Sequence, residues 1–264
     1  LLFTYAAIAS LLPVWLLLQP RDYINGLQLF IGLGIFFLAV LLNPPEVVAP
    51  MINSSVPEDV PSLIPLLFVT IACGACSGFH GLVSSGTTSK QVDNEKDVRF
   101  VGFLGTVGEG ALALAAIIAC TAGFATLGDW EGYYTAFASG GLPAFVQGGG
   151  GILAAGLGLP VALGETLLAV MAILFAATTM DTGVRLQRYI VQEAGTIYNI
   201  PALTGKGLST IVAVGCCLAL AFGAGGGGGT GGLVIWPLFG TTNQLLAALT
   251  LLVLSVFLLK QSRP

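Results

Sequence analysis

Charge is what this sequence has least of. Asp, Glu, Lys and Arg make up 8% of its 264 residues, against about a quarter in an ordinary soluble domain. So few charges cannot cover a water-facing surface. The 55% apolar content and the mean hydropathy of +0.93 therefore place the chain in lipid. No basic run and no zinc-finger spacing accompanies the net charge of −4, which removes nucleic acid as a partner. No P-loop, no GxSxG and no zinc-protease motif is present. Without a nucleotide site, any transport would draw its energy from an ion gradient. The acids stand singly rather than clustered at one depth, so no enzyme and no cofactor is expected.

Cysteine and histidine are equally sparse. The five cysteines, Cys73, Cys76, Cys120, Cys216 and Cys217, lie in apolar runs and imply no disulfide framework. Cys73, Cys76 and His80 offer three ligands at most, where zinc asks for four N/S ligands or three plus water. No metal is expected. No charged stretch precedes the first apolar run and the chain opens on Leu1, so that run reads as no signal peptide and the sequence as part of a longer chain.

What the sequence has is apolar length. Seven segments approach the ~20 residues that cross a bilayer: Leu1–Leu18, Ile24–Leu42, Leu63–Gly86, Phe100–Phe124, Leu163–Val184, Gly207–Ala224 and Leu233–Leu259. The expected architecture is all-α, a polytopic transmembrane bundle forming one transmembrane domain over residues 1–264. Pro13 kinks the first segment, and Gln19–Tyr23 reads as a tight interfacial turn after it. Pro237 and Gly240 predict a kink or break in the last. With seven spans, all nine basic residues fall on one side, which the positive-inside rule makes cytoplasmic. The longest loop on the other side, Ala125–Ala162, carries Trp130, Tyr133 and Tyr134 as an aromatic belt. Its stretch Gly148–Pro160 is too short to span and reads as interfacial or re-entrant. Gly225–Gly229 reads as a flexible external turn.

One segment stands apart. Taken as a helix at about 100° per residue, Thr70–Thr88 puts Thr70, Cys73, Ser77, His80, Ser84, Thr87 and Thr88 in one sector roughly a quarter of the circumference wide. Gly74, Gly78, Gly81 and Ser85 run beside it. Any single hydroxyl here suits back-bonding to a carbonyl one turn earlier. The whole stripe reads as a cavity lining, with glycines that admit a neighbouring backbone or let the helix break.

The intramembrane polar groups extend this reading. Glu109 lies about ten residues into the fourth segment, where an ionised carboxylate is costly unless paired, hydrated or protonated. That suits a group that takes and gives a proton; a permanently protonated structural acid is the alternative. His80 can relay a proton or contact an anion, or act as an ordinary hydrogen-bonding residue. Asp181 and Arg185, four apart, read as a helix-end salt bridge. Thr178 and Thr179, deeper in, offer hydroxyls to a cation or substrate, and Glu165 reads as interfacial. Asn243 and Gln244 follow a helix breaker, where freed backbone groups line cavities.

Several strings resemble the carbon starvation protein A family: LLPVWLLLQPRDY (Leu11–Tyr23), FVTIACGACSGFHGLVSSGTTSK (Phe68–Lys90), the segment around Glu109, DTGVR (Asp181–Arg185) and WPLFGTTNQLLAA (Trp236–Ala248). The likeness runs nearly end to end but leaves out the family's N-terminal half, with its His- and Gly-rich motif. It implies a polytopic inner-membrane secondary transporter built on inverted repeats, importing peptides or pyruvate by proton-coupled alternating access. From their own chemistry, not from the resemblance, Ser77, His80, Ser84, Ser85, Thr87, Thr88, Asn243 and Gln244 are expected to line the substrate pathway. Glu109, His80, Thr178, Thr179 and Asp181 are candidates for coupling H+ or Na+. An ion channel and a nutrient-sensing membrane receptor are the rival readings.

Overall fold

The computed structural model describes residues 2–60, 62–136, 140–224 and 231–261. Among these every regular element is helical. Twelve α-helices follow in order: α1 (Leu2–Leu11), α2 (Val14–Leu42), α3 (Leu63–Ala75), α4 (Gly78–Gly86), α5 (Glu95–Ala122), α6 (Leu127–Tyr133), α7 (Gly141–Leu157), α8 (Val161–Ile197), α9 (Pro201–Thr204), α10 (Lys206–Gly223), α11 (Gly231–Val234) and α12 (Trp236–Lys260). A 3-10 turn, Thr88–Lys90, follows α4. Five of the helices, α2, α5, α8, α10 and α12, are long and apolar enough to cross a membrane. The chain is an all-α polytopic bundle.

The chain divides into two compact units, Leu1–Val60 with Phe103–Asp181, and Pro61–Gly102 with Thr182–Pro264. In the first unit α2 packs on α7. The core joins Leu33, Phe36 and Ala39 of α2 to Ala115 and Ala119 of α5, Ile152 and Leu153 of α7, and Leu168 and Met171 of α8. Small residues make this packing close. A methyl group at Gly148 would strike the Ala119 carbonyl, and one at Gly156 would strike the Ala39 backbone. The Gly148–Gly151 run is therefore a helix–helix seam and not a linker. A smaller cluster, Phe124, Trp130 and Ala144, holds α6. Thr126 caps that helix reciprocally with Asp129.

The second unit packs α12 on both α3 and α4, and α10 on α9 and α11. A hydrogen bond of 3.2 Å from Cys217 Sγ to Gln187 Oε1 ties α10 to the end of α8.

Four sequence expectations change. The turn expected at Gln19–Tyr23 is absent, because α2 runs unbroken from Val14 through Pro20 to Leu42. The break falls instead at Pro13, which sits at the N-cap of α2 with φ −58° and ψ 143°. Pro20 is accommodated inside the helix, as prolines in membrane helices often are. Arg21 and Asp22 thereby move from a loop onto a helix face. Second, Gly148–Pro160 is helical as far as Leu157, within the 17-residue α7, which is not among the helices long enough to cross a membrane. Third, α8 has 37 residues and continues thirteen past Val184, about 55 Å of helix at 1.5 Å per residue. Fourth, the last segment breaks at Ile235, with Pro237 in the first turn of α12 and Gly240 inside it. The expectation for Gly225–Gly229 lies outside the described residues.

Candidate functional site

The Thr70–Thr88 stripe is not one continuous helix. It breaks after Ala75, and Ser77 becomes the N-cap of α4 in extended geometry, φ −87° and ψ 121°. Its hydroxyl accepts the His80 N–H at 3.3 Å, the ordinary role of a serine at this position. A break in a membrane helix frees donors on one side and carbonyls on the other, and these need partners.

Asn243 of α12 supplies one. Its Oδ1 accepts the Phe79 N–H at 2.7 Å and the Ser77 hydroxyl at 3.3 Å. Asn243 is 2% exposed. The approach depends on Gly78, where any Cβ would overlap the Asn243 carbonyl, the Leu246 side chain and the Ala247 N–H. Gly81 faces Thr250 one turn further along. The amide nitrogens remain. Asn243 Nδ2 and Gln244 Nε2 are both buried with no hydrogen-bond partner among the described residues, and so is Thr87 Oγ1 at the C-cap of α4. The break thus holds the Asn243 amide, with its unused Nδ2 donor, beside the positive end of a helix dipole.

The remaining expected pathway residues take ordinary places. Ser84 and Ser85 are exposed and donate to the carbonyls of Gly81 and Leu82, at 2.9 and 3.1 Å. Thr88 opens the 3-10 turn and is exposed. His80 is exposed, its ring edge-on to Phe79 with centroids 5.7 Å apart. The side chains of Thr70 and Cys73 lie outside those described. Among the described residues no three His, Cys, Asp or Glu side chains group closely enough to hold a metal.

The expected ion-coupling residues belong to the first unit, except for His80. Glu109 is exposed on α5, and Thr179 is exposed on α8. Thr178 is tied down: it donates to the Leu174 carbonyl at 2.8 Å and accepts from Asn25 Nδ2 at 2.6 Å. Asp181 is fully buried. Arg185, the partner expected from spacing, is itself buried and engaged. The structure brings Arg21, from 160 residues earlier, to Asp181 Oδ2 at 3.0 Å. Arg21 also donates to the Tyr5 hydroxyl. Reading Gln19–Tyr23 as a turn hid this pairing, although an Arg-Asp pair beside a proline in a 29-residue apolar helix was the available signal.

A separate cavity of about 430 Å³, lined by Asn53, Ser55, Trp130, Glu131 and Tyr134, contains none of the expected site residues. Trp130 and Tyr134 stack at 4.6 Å. Both donate to the Cys120 carbonyl, at 3.0 and 3.4 Å. Burial, and then the neighbouring Cys120, push the Tyr134 phenol well above its ordinary range.

Comparison with known proteins accords with this picture. The family model described as carbon starvation protein CstA matches residues 1–127 and 125–264. The peptide transporter CstA of Helicobacter pylori is 30% identical over 309 residues, covering 98% of this chain and 45% of that protein. The peptide transporter CstA of Escherichia coli is 31% identical over 320 residues, covering 100% and 45%. The pyruvate/proton symporter BtsT of Escherichia coli is 30% identical over 333 residues, covering 99% and 46%. The chain therefore spans about half the length of the curated relatives it matches. No solved structure matches. A multi-pass helical chain whose broken helix meets Asn243 inside the WPLFGTTNQ string, matched by one family model across its length, belongs to the carbon starvation protein CstA family.

Proposed function

We propose that this chain is part of a secondary active transporter that imports a small polar nutrient bearing a carboxylate, a peptide or pyruvate, together with protons. The names of its relatives support the substrate class and the proton. The observation that carries the site is the break between α3 and α4, closed by Asn243. Discontinuous membrane helices present their N-terminal ends to anionic groups. Here α4 offers such an end, and Asn243 Nδ2 and Gln244 Nε2 add donors that have no other partner among the described residues. A carboxylate accepts from all of them. Ser77, Ser84, Ser85, Thr87 and Thr88 continue the pathway along and beyond α4.

Glu109 or His80 handles the coupling proton on this reading, since each is an exposed titratable group within a helix. Sodium is the alternative coupling ion, taken by Thr178 and Thr179 hydroxyls. The protein sits in the inner membrane with its Lys/Arg-bearing loops in the cytoplasm. The test is solute-driven proton flux into vesicles holding the full-length protein. Glu109→Gln or His80→Ala should cut that flux at least about ten-fold, the scale of one lost proton-transfer group. Undiminished flux in both variants removes these two residues from the mechanism.

A further inference from the structure

The first unit holds a buried charge cluster that the substrate pathway does not use. Arg21 lies on α2 beside Asp22, with Asn25 one turn on. Its Nη2 is 3.0 Å from Asp181 Oδ2 and 4.0 Å from Asp22 Oδ1. The Asp181 side chain is 0% exposed, whereas that of Asp22 is 42% exposed. Asp181 Oδ1, Asp22 Oδ1 and Arg21 Nε are buried and have no hydrogen-bond partner among the described residues. Tyr5 of α1 holds the other side of the guanidinium. Asn25 and Thr178 close the next turn of the α2–α8 contact.

An ionised carboxylate in low dielectric normally accepts several hydrogen bonds. Asp181 has one sealed oxygen with none. Its cation is shared with a second carboxylate one residue away that touches solvent. We propose that Asp181 is a proton-carrying site, and that Arg21 passes from Asp181 to Asp22 when the proton arrives. This rests on the proton-coupled reading above and adds a second proton site that works in series with Glu109 or His80.

The step balances simply. A proton from water forms an O–H bond on Asp181, and the Arg21 N–H···Oδ2 bond breaks. Arg21 keeps its charge and turns to the Asp22 carboxylate, whose Oδ1 already lies within 4.0 Å. No charge is left buried without a counter-charge. The contact between α2 and α8 exchanges an ion pair for a neutral carboxylic acid, which makes proton arrival a mechanical event between two helices.

Infrared titration of the purified full-length protein reads the site directly. Among the carboxylic-acid C=O components that appear on acidification, one should be lost in Asp181→Asn and kept in Glu109→Gln, read as the difference from wild type. In vesicles, Asp22→Asn leaves Arg21 with nowhere to turn, so solute-driven proton flux should fall about ten-fold. Asp22→Asn keeps the Arg21–Asp181 pair, so it decides the matter if Asp181→Asn fails to fold. Wild-type proton flux in Asp22→Asn, or an unchanged acid signal in Asp181→Asn, overturns the proposal. A wild-type protein that shows the acid signal but moves no solute instead overturns the transport reading.

Discussion

Asn243 on α12 accepts the backbone N–H of Phe79 at 2.7 Å, replacing a carbonyl that the interruption at Ser77 takes away. One side chain therefore both seals a discontinuous helix and keeps a second, unused donor at the same place. These two roles can be separated. Asn243→Ala strands the Phe79 N–H and should cost about 1–3 kcal/mol, read by thermal unfolding in detergent. Asn243→Asp keeps an acceptor for Phe79 but loses the Nδ2 donor and adds a negative charge. It should raise KM for a carboxylate solute at least about ten-fold, beyond any effect of lost stability.

Glycine positions give a paired control. Gly78→Ala forces a methyl into the Asn243 and Ala247 backbone, whereas nothing lies within 4 Å of a methyl at Gly74. The first should destabilise the protein by about 1–3 kcal/mol, the range for overpacking. The second should be neutral or stabilising by up to about 1 kcal/mol, as Gly→Ala is within a helix. Melting temperatures of the two variants check this.

The hydroxyls of Ser84 and Ser85 are spent on carbonyls three residues back. Replacing both with Ala should change stability by less than about 0.5 kcal/mol. A fall in uptake rate without a fall in melting temperature would mark them as pathway residues. Unchanged uptake would leave them as helix glue.

Tyr134 should ionise only above the ordinary tyrosine range. Its phenol is raised by burial and by Cys120. The neutral form is therefore favoured in the folded state. The stability this contributes is complete below a pH of about 10, the ordinary tyrosine value, and is lost as pH rises through the higher folded value. Alkaline titration followed by phenolate absorbance should lose a component above the ordinary tyrosine range in Tyr134→Phe. The neutral-pH cost of that change should be under about 1 kcal/mol, because Trp130 still donates to the same Cys120 carbonyl.

Composition alone makes the chain a membrane helical bundle, because lipid leaves the backbone no cheaper way to satisfy itself. Apolar runs locate α5, α8, α10 and α12 to within a few residues at most ends. What hydropathy misses is where helices stop. Pro13 breaks the chain and Pro20 does not, since a proline at a helix start loses nothing while one inside depends on neighbours to satisfy a freed carbonyl. The Gly148–Gly151 run reads as interfacial or re-entrant from its length, and its role as a seam shows only once α5 is seen pressed against it. Ser77 and Asn243 are visible as polar residues in apolar strings, yet their bond links positions 166 apart. The same holds for Arg21 and Asp181, 160 positions apart. Long-range polar pairs in lipid are set by helix register, which single-segment periodicity does not contain.

The most direct measurement is uptake of labelled pyruvate and of a labelled dipeptide by vesicles holding the full-length protein, with and without an imposed pH gradient. Saturable accumulation of at least one of them, raised several-fold by the gradient and lowered by Asn243→Asp, is the expected result. Equal uptake in protein-free vesicles, or uptake indifferent to both the gradient and Asn243, would contradict a proton-coupled carboxylate pathway at the helix break.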